Sequence, residues 1–312
     1  MTADHTWLYL KLYPGRLDLL DAAALDVVAP LAEEVGAEAS CWFFLRYFDT
    51  AGPHLRLRFH TGRERADRLA ARRPELLGRL AALAGRSERR WLPVFPDLPM
   101  GPGGGRPDLR LDLYEPEYAK WGGQRQLAVA ERGFQASSET VLELLAAADG
   151  DPHRRLALGV LIVRQLLAAL GLTGRQQRDF LAAHYQWWSG ARNPDPRLHQ
   201  EQLLQEAHQR LLGAVLAATD QLAADQATSG SVHRLCAGMV TAVTAAGPPH
   251  KPLYLAFHHL HLALNRLGIV PTEEAVVSLL ARTQLDRAQA SVPVATARAP
   301  RPPQSRLVPS LP

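Results

Sequence analysis

The sequence predicts an α+β protein: strands with helices first, then a mainly helical half, packed as one domain over residues 1–287. Three observations predict it. Short alternating or apolar runs of strand length stand before Gly122-Gly123. Long patterns with helical spacing follow that pair, and no flexible linker separates the halves.

Trp7 to Tyr13 reads as a strand, and Leu17 to Val35 as a helix with its apolar positions on one side. Cys41–Phe48 and His54–His60 read as two strands joined by the turn-forming loop Asp49-Thr50-Ala51-Gly52-Pro53. Arg63 to Ala84 is helical, with Leu69, Leu76, Leu77, Leu80 and Leu83 at helical spacing. A connection rich in Pro and Gly runs from Trp91 to Pro107, a length at which irregular loops are often functional. Leu109, Leu111 and Leu113 alternate with Arg110, Asp112 and Tyr114, which predicts another half-buried strand. Helices are expected over Gln126–Ala147, Pro152–Leu170, Gly174–Trp188, Arg197–Ala224, Val232–Ala246, Pro252–Leu267 and Thr272–Leu285. From residue 288 to 312 the composition shifts to Ala, Pro, Ser and Arg without apolar period, the signature of a disordered tail.

Composition excludes several classes. A chain of 312 residues, 47% hydrophobic and 21% charged, has the profile of a soluble protein with a large core. Its net charge of +4 rests on 35 basic residues, of which only Lys11, Lys120 and Lys251 are lysines. No basic block interleaved with aromatics and no nucleic-acid-binding motif occurs, so no direct nucleic-acid contact is expected. Cys41 and Cys236 cannot build a disulfide framework or a four-thiolate metal site, and both sit in apolar segments that suit small core residues. The start of the sequence lacks a basic segment followed by an apolar one. The longest apolar run, Leu156 to Leu170, is broken by Arg164 and Gln165 and is too short to span a bilayer. A cytoplasmic location without membrane contact is therefore expected.

Three places can carry chemistry. In His54-Leu55-Arg56-Leu57-Arg58-Phe59-His60 the strand period sends three apolar side chains to one face and four potential cations to the other. A face of one charge sign suits an anion held by guanidinium forks; the alternative is a solvated sheet edge in an Arg-rich chain. In Tyr114-Glu115-Pro116-Glu117-Tyr118-Ala119-Lys120-Trp121-Gly122-Gly123, Glu117 and Lys120 are three apart and share one face of a helical turn, either in a site or as a surface pair. The third place is the helix around His261. Leu253, Phe257, Leu260, Leu264 and Leu267 form its core stripe, while Tyr254, His258, His261 and Asn265 form a polar stripe turned roughly 100° away. His258 and His261 lack a third ligand at suitable spacing, so no metal is expected. Phosphate-binding, dinucleotide-binding, nucleophile-elbow and zinc-protease motifs are all missing from the sequence.

At these places the chain resembles the C-terminal, glutamate-eliminating domain of class I lanthipeptide dehydratases. That domain also occurs as a stand-alone thiopeptide-type bacteriocin biosynthesis protein. The matching pieces are Trp42-Phe43-Phe44-Leu45-Arg46-Tyr47-Phe48-Asp49 with His54-Leu55-Arg56-Leu57-Arg58, then Tyr114-Glu115-Pro116-Glu117 with Trp121-Gly122-Gly123. Ala130-Glu131 with Phe134 and Ser138, and His261-Leu262-Ala263-Leu264-Asn265-Arg266-Leu267, complete the series. Each piece alone is weakly specific; their shared order over about residues 5–285 carries the resemblance.

The resemblance implies that a separate glutamyl-tRNA-dependent dehydratase subunit attaches glutamate to Ser or Thr of a precursor peptide, leader and core. This domain would then remove the α-proton and expel glutamate, leaving dehydroalanine or dehydrobutyrine. Arg56 and Arg58 match arginines that hold carboxylate and stabilise departing charge. Glu117 matches an acidic active-site residue, and His261 the histidine that transfers a proton. Lys120 belongs to the same catalytic set. Arg46, His54, His258, Asn265 and Arg266 are expected to bind substrate. Such a reaction needs no metal or organic cofactor.

Three departures stand out: Lys120 where eliminating relatives usually carry Arg, Trp121 where they often carry Tyr, and His258 where Ser is frequent. Lys keeps the charge but loses the fork. The same fold serves thiopeptide pyridine synthesis, a formal [4+2] cycloaddition of two dehydroalanines with leader loss, in relatives that tend to lose the eliminating residues. Here Arg56, Arg58, Glu117 and His261 all remain, which favours elimination over pyridine formation and over a non-catalytic subunit that scaffolds the glutamylating partner. Whether the active unit is a homodimer or a complex is left open.

Overall fold

A computed structural model describes residues 5–36, 39–85, 105–190 and 197–290. Four strands, β1 (His5–Tyr13), β2 (Cys41–Asp49), β3 (Gly52–Gly62) and β4 (Asp108–Asp112), form one antiparallel sheet of order β2-β3-β1-β4. The basic strand is therefore internal. Both of its neighbours satisfy its backbone, and the reading of a solvated sheet edge is corrected. The hairpin between β2 and β3 is also tighter than expected. Asp49 already pairs with Gly52, which leaves only Thr50 and Ala51 in the turn. Gly52 takes φ +114°, a conformation that suits glycine, and Asp49 accepts the Ala51 N–H at 2.9 Å.

Period two divides the sheet. Leu8, Leu10, Leu12, Trp42, Phe44, Leu55, Leu57 and Phe59 are buried in the main core. Against this face pack a 3-10 turn (Leu17–Leu19), α1 (Leu20–Ala23), a π-turn (Ala24–Val28), α2 (Ala29–Gly36), α3 (Arg63–Ala71) and α4 (Arg73–Leu83). The expected single helix over Arg63–Ala84 is broken at Arg72. Pro74 has no N–H to donate and disfavours helical geometry before it, so it restarts a helix in its first turn. In β4 Leu109 is buried and Leu111 is exposed, as is Leu113 just beyond the strand; among the described helices α4 packs on β4. The half-buried pattern expected there is corrected.

The helical half comprises α5 (Tyr118–Trp121), α6 (Gln124–Ala148), α7 (Pro152–Ala169), α8 (Gly174–Trp188), α9 (Arg197–Ala224), α10 (Gln226–Ala246), α11 (Pro252–Leu267) and α12 (Pro271–Ala290). α10 starts six residues before the expected Val232, because the Asp225 side chain caps it by accepting the Thr228 N–H at 2.9 Å. α12 runs to Ala290, so residues 288–290 of the expected tail are helical. Residues 91–104 of the Pro/Gly connection and 291–312 of the tail lie outside the described residues. No helix among the described residues is long and apolar enough to cross a membrane.

The second face of the sheet is only half covered. α6 and α11 pack on β2 around Cys41, Phe43, Trp121, Leu127, Ala130 and Phe134. They also dress the outer edge of β2. Gln135 and Ser138 accept the N–H groups of Trp42 and Phe44, Arg266 Nε donates to the Phe44 carbonyl, and Asn265 bonds both the N–H and the C=O of Arg46. An edge strand whose polar groups are already spent does not template another strand. Over β3, β1 and β4 the described residues leave a cleft.

Candidate active site

The cleft has a volume of about 630 Å³. Its floor is the second face of the sheet, and its walls are the segment around α5 and the helix α11. Of the ten residues expected in a site, it brings together Arg46, Arg56, Arg58, Glu117, Lys120, His261 and Asn265. His54, His258 and Arg266 lie outside its lining.

Arg58 stands opposite Phe43 on β2 and Tyr9 on β1. Its guanidinium carbon is 4.4 Å from the Tyr9 ring centroid, 5.2 Å from Tyr114 and 5.3 Å from Phe43. Only 7% of the residue is exposed, and Nε has no acceptor among the described residues. Neither Arg58 nor Arg56 forms an ion pair among the described residues. Burial lowers the Arg58 pKa from its ordinary value, yet an arginine stays charged under physiological conditions. Aromatic faces partly compensate a cation, by about 0.5–2 kcal/mol, and leave its N–H donors free. Arg56 lies over the Tyr47 ring at 3.2 Å, with its buried Nε likewise unbonded. The floor thus offers two guanidinium groups to an anion.

One wall is held by Tyr114, whose hydroxyl donates to Glu131 Oε1 at 2.7 Å. Burial and this bond raise the Tyr114 pKa, and burial raises that of Glu131, so the proton rests on the phenol. Beyond it, α5 carries Lys120, which donates to Glu117 Oε2 at 3.2 Å. Glu117 is largely exposed at the cleft mouth, and Lys120 lies 5.7 Å from the Trp121 ring. The following turn needs glycine: Gly122 has φ +94°, and a Cβ there would meet Pro249 at 2.9 Å. The opposite wall presents His261, whose Nδ1 is 2.7 Å from Glu274 Oε1 and whose ring stacks on Trp188 at 4.4 Å.

The remaining expected residues are engaged in bonds or packing within the fold, Arg46 and Asn265 from the lining of the cleft. Arg46 reaches the cleft, but its Nε donates to the Arg266 carbonyl at 2.8 Å and Nη2 is 2.6 Å from Asp21. Asn265 holds the edge of β2, as described. His54 is fully buried beside Tyr13 and Tyr47, with Nδ1 3.1 Å from the Gly52 carbonyl. Arg266 is fully buried under Phe134; besides Phe44, it donates to Ser137 Oγ at 3.2 Å, and burial pushes its pKa down to about 9. His258 packs between Tyr254 and Trp121, and burial, with Lys120 nearby, takes its pKa down to about 4. His258 and His261 therefore have separate partners, and no group of three His, Cys, Asp or Glu among the described residues could hold a metal ion. Tyr9, Trp188 and Glu274 had no motif to mark them. Same-face pairing with Arg58 could have suggested Tyr9, whereas Glu274 comes from a separate helix.

Residues 7–284 match the family of lantibiotic biosynthesis dehydratase C-terminal domains. The chain belongs to that family. Among curated proteins none matches it. Of solved structures, the tRNA-dependent lantibiotic dehydratase MibB from Microbispora sp. 107891 is 25% identical, with TM-score 0.58 over 91% of this chain. This chain spans only 28% of MibB. The pyridine synthase TbtD from thiomuracin biosynthesis is 20% identical, with TM-score 0.61, covering 92% of this chain and 99% of TbtD. TsrL is 18% identical, with TM-score 0.57, covering 92% of this chain and 95% of TsrL. The likenesses to TbtD and TsrL establish the fold, and the family is one of peptide-antibiotic biosynthesis enzymes.

Proposed function

We propose that this member of the lantibiotic dehydratase C-terminal family eliminates glutamate from glutamylated Ser or Thr of a precursor peptide. The observation that carries the reading is Arg58: a buried guanidinium in an aromatic surround, without a carboxylate partner among the described residues, on the floor of a peptide-sized cleft. A leaving carboxylate would complete that pairing, and the stabilisation would grow as the C–O bond breaks and charge develops. In this scheme His261 removes the α-proton of the modified residue, the electron pair forms the Cα=Cβ double bond, and glutamate departs as an anion onto Arg58 and Arg56. Lys120, paired with Glu117, adds positive charge at the mouth. Glutamylation would fall to a separate glutamyl-tRNA-dependent dehydratase subunit. Leader and core of the peptide would be the partners, in the cytoplasm.

A second reading is pyridine formation, favoured by the near-complete coverage of TbtD. One experiment separates the two. Purified protein is given a glutamylated precursor peptide without ATP or tRNA, and the products are weighed by mass spectrometry. Dehydrated peptide and free glutamate in equal amounts are expected. Unchanged ester, together with conversion of a peptide bearing two dehydroalanines into a pyridine with release of the leader, would replace elimination by the second reading.

A further inference from the structure

The side chains behind His261 form a closed ring across three helices. On α12, Glu274 is fully buried and places Oε1 2.7 Å from His261 Nδ1 on α11. One turn on, Ser278 donates to the Glu274 carbonyl at 3.0 Å. With its proton spent there, Ser278 Oγ accepts from His184 Nδ1–H on α8 at 2.7 Å. His184 Nε2 is then unprotonated and accepts from the Trp188 indole N–H at 3.2 Å. Trp188 closes the ring by stacking on His261, with centroids 4.4 Å and planes 26° apart.

These bonds decide the proton positions. His184 Nε2 lies 3.4 Å from Glu274 Oε2, but its lone pair is committed to Trp188, and Oε2 has no hydrogen-bond donor among the described residues. The compensation of a fully buried carboxylate therefore rests on the His261 Nδ1–H. Burial pushes the Glu274 pKa up, but the contacts of its carboxyl, His261 first among them, hold the group below the ordinary carboxylate value. A carboxylate only accepts, so it obliges His261 to carry hydrogen on Nδ1. What remains for the cleft is Nε2.

We propose that Glu274 is a positioning residue: it fixes His261 as the Nδ1–H tautomer and presents the Nε2 lone pair to the cleft, while His184 acts through Trp188 to hold the plane of the ring. The assignment deepens the elimination reading, since it supplies the base which that reading needs. Free histidine side chains prefer hydrogen on Nε2, so the wild-type ring is expected to be reversed from that preference.

The full chain, labelled with 15N-histidine, reports the tautomer in long-range 1H–15N spectra, with His261→Asn identifying the signal. Wild type is expected as the neutral Nδ1–H ring. Glu274→Gln, whose amide can donate as well as accept, is expected to shift His261 towards Nε2–H and to lower kcat by roughly 10²–10⁴-fold at near-constant KM. Glu274→Asp, still acceptor-only, is expected to keep the Nδ1–H form and to decide the matter with wild type if the Gln variant does not fold. An Nε2–H ring in wild type, or an unchanged tautomer in Glu274→Gln, would overturn the assignment. A wild-type protein that shows the tautomer yet ignores glutamyl esters would overturn elimination and leave this assignment standing.

Discussion

Arg58 carries a cost that only a ligand relieves. A buried charge without a contacting ion pair costs stability, and the three rings with the more distant Glu117 and Glu131 return less than its lost hydration. Arg58→Met keeps the length and apolar contacts of the side chain and removes that penalty. The variant should melt at higher temperature, by a gain of about 1 kcal/mol, while turnover of a glutamylated peptide is lost. A lower melting temperature in calorimetry would make Arg58 a net contributor to folding. Arg266 has similar chemistry and the opposite role. Its Nε and Nη1 donate to the Phe44 carbonyl and Ser137, so it belongs to the core.

At the scale of elements, the contact between α11 and β2 sets the geometry of the cleft. Asn265 lies one turn beyond His261 on α11 and bonds both backbone groups of Arg46. The same helix thereby docks on the sheet edge and carries the histidine across from the arginine floor. Asn265→Ala leaves a half-buried N–H and C=O of Arg46 unpaired and should lower the unfolding free energy by about 1 kcal/mol in urea titrations. A variant as stable as wild type, with a raised KM for peptide, would instead return Asn265 to substrate binding.

Across the whole molecule, one carboxylate ties the halves together. Asp21 on α1 accepts from Arg155 of α7 and pairs with Arg46 of β2, and Arg155 also donates to the Leu267 carbonyl at the end of α11 at 2.8 Å. Burial opposes its ionisation, but Arg46 and Arg155 pull its pKa well below the ordinary carboxylate range. A depressed carboxyl stabilises the fold fully above its unfolded pKa, about 4, and the stabilisation is lost as pH falls towards the folded value. Thermal melts of wild type should therefore weaken below about pH 4. Asp21→Asn should be less stable at neutral pH and lose less on acidification; equal acid sensitivity in the two proteins would place the responsible carboxyl elsewhere.

The sequence by itself determined the element types, because period two and helical spacing are local properties. The basic face of β3, the Glu117–Lys120 pair and the His261 stripe were legible for the same reason: each lies within one strand or one helix. Order in the sheet was not local. Only tertiary pairing put β3 inside, turning a face that could have been solvated into a cleft floor. The fates of look-alike residues were likewise decided by packing: Arg58 left free under three rings, Arg46 neutralised by Asp21, His54 and Arg266 buried. Glu274 and Trp188 show the limit most clearly. They approach His261 from other helices, and long-range contact between side chains leaves no period or spacing in a single sequence.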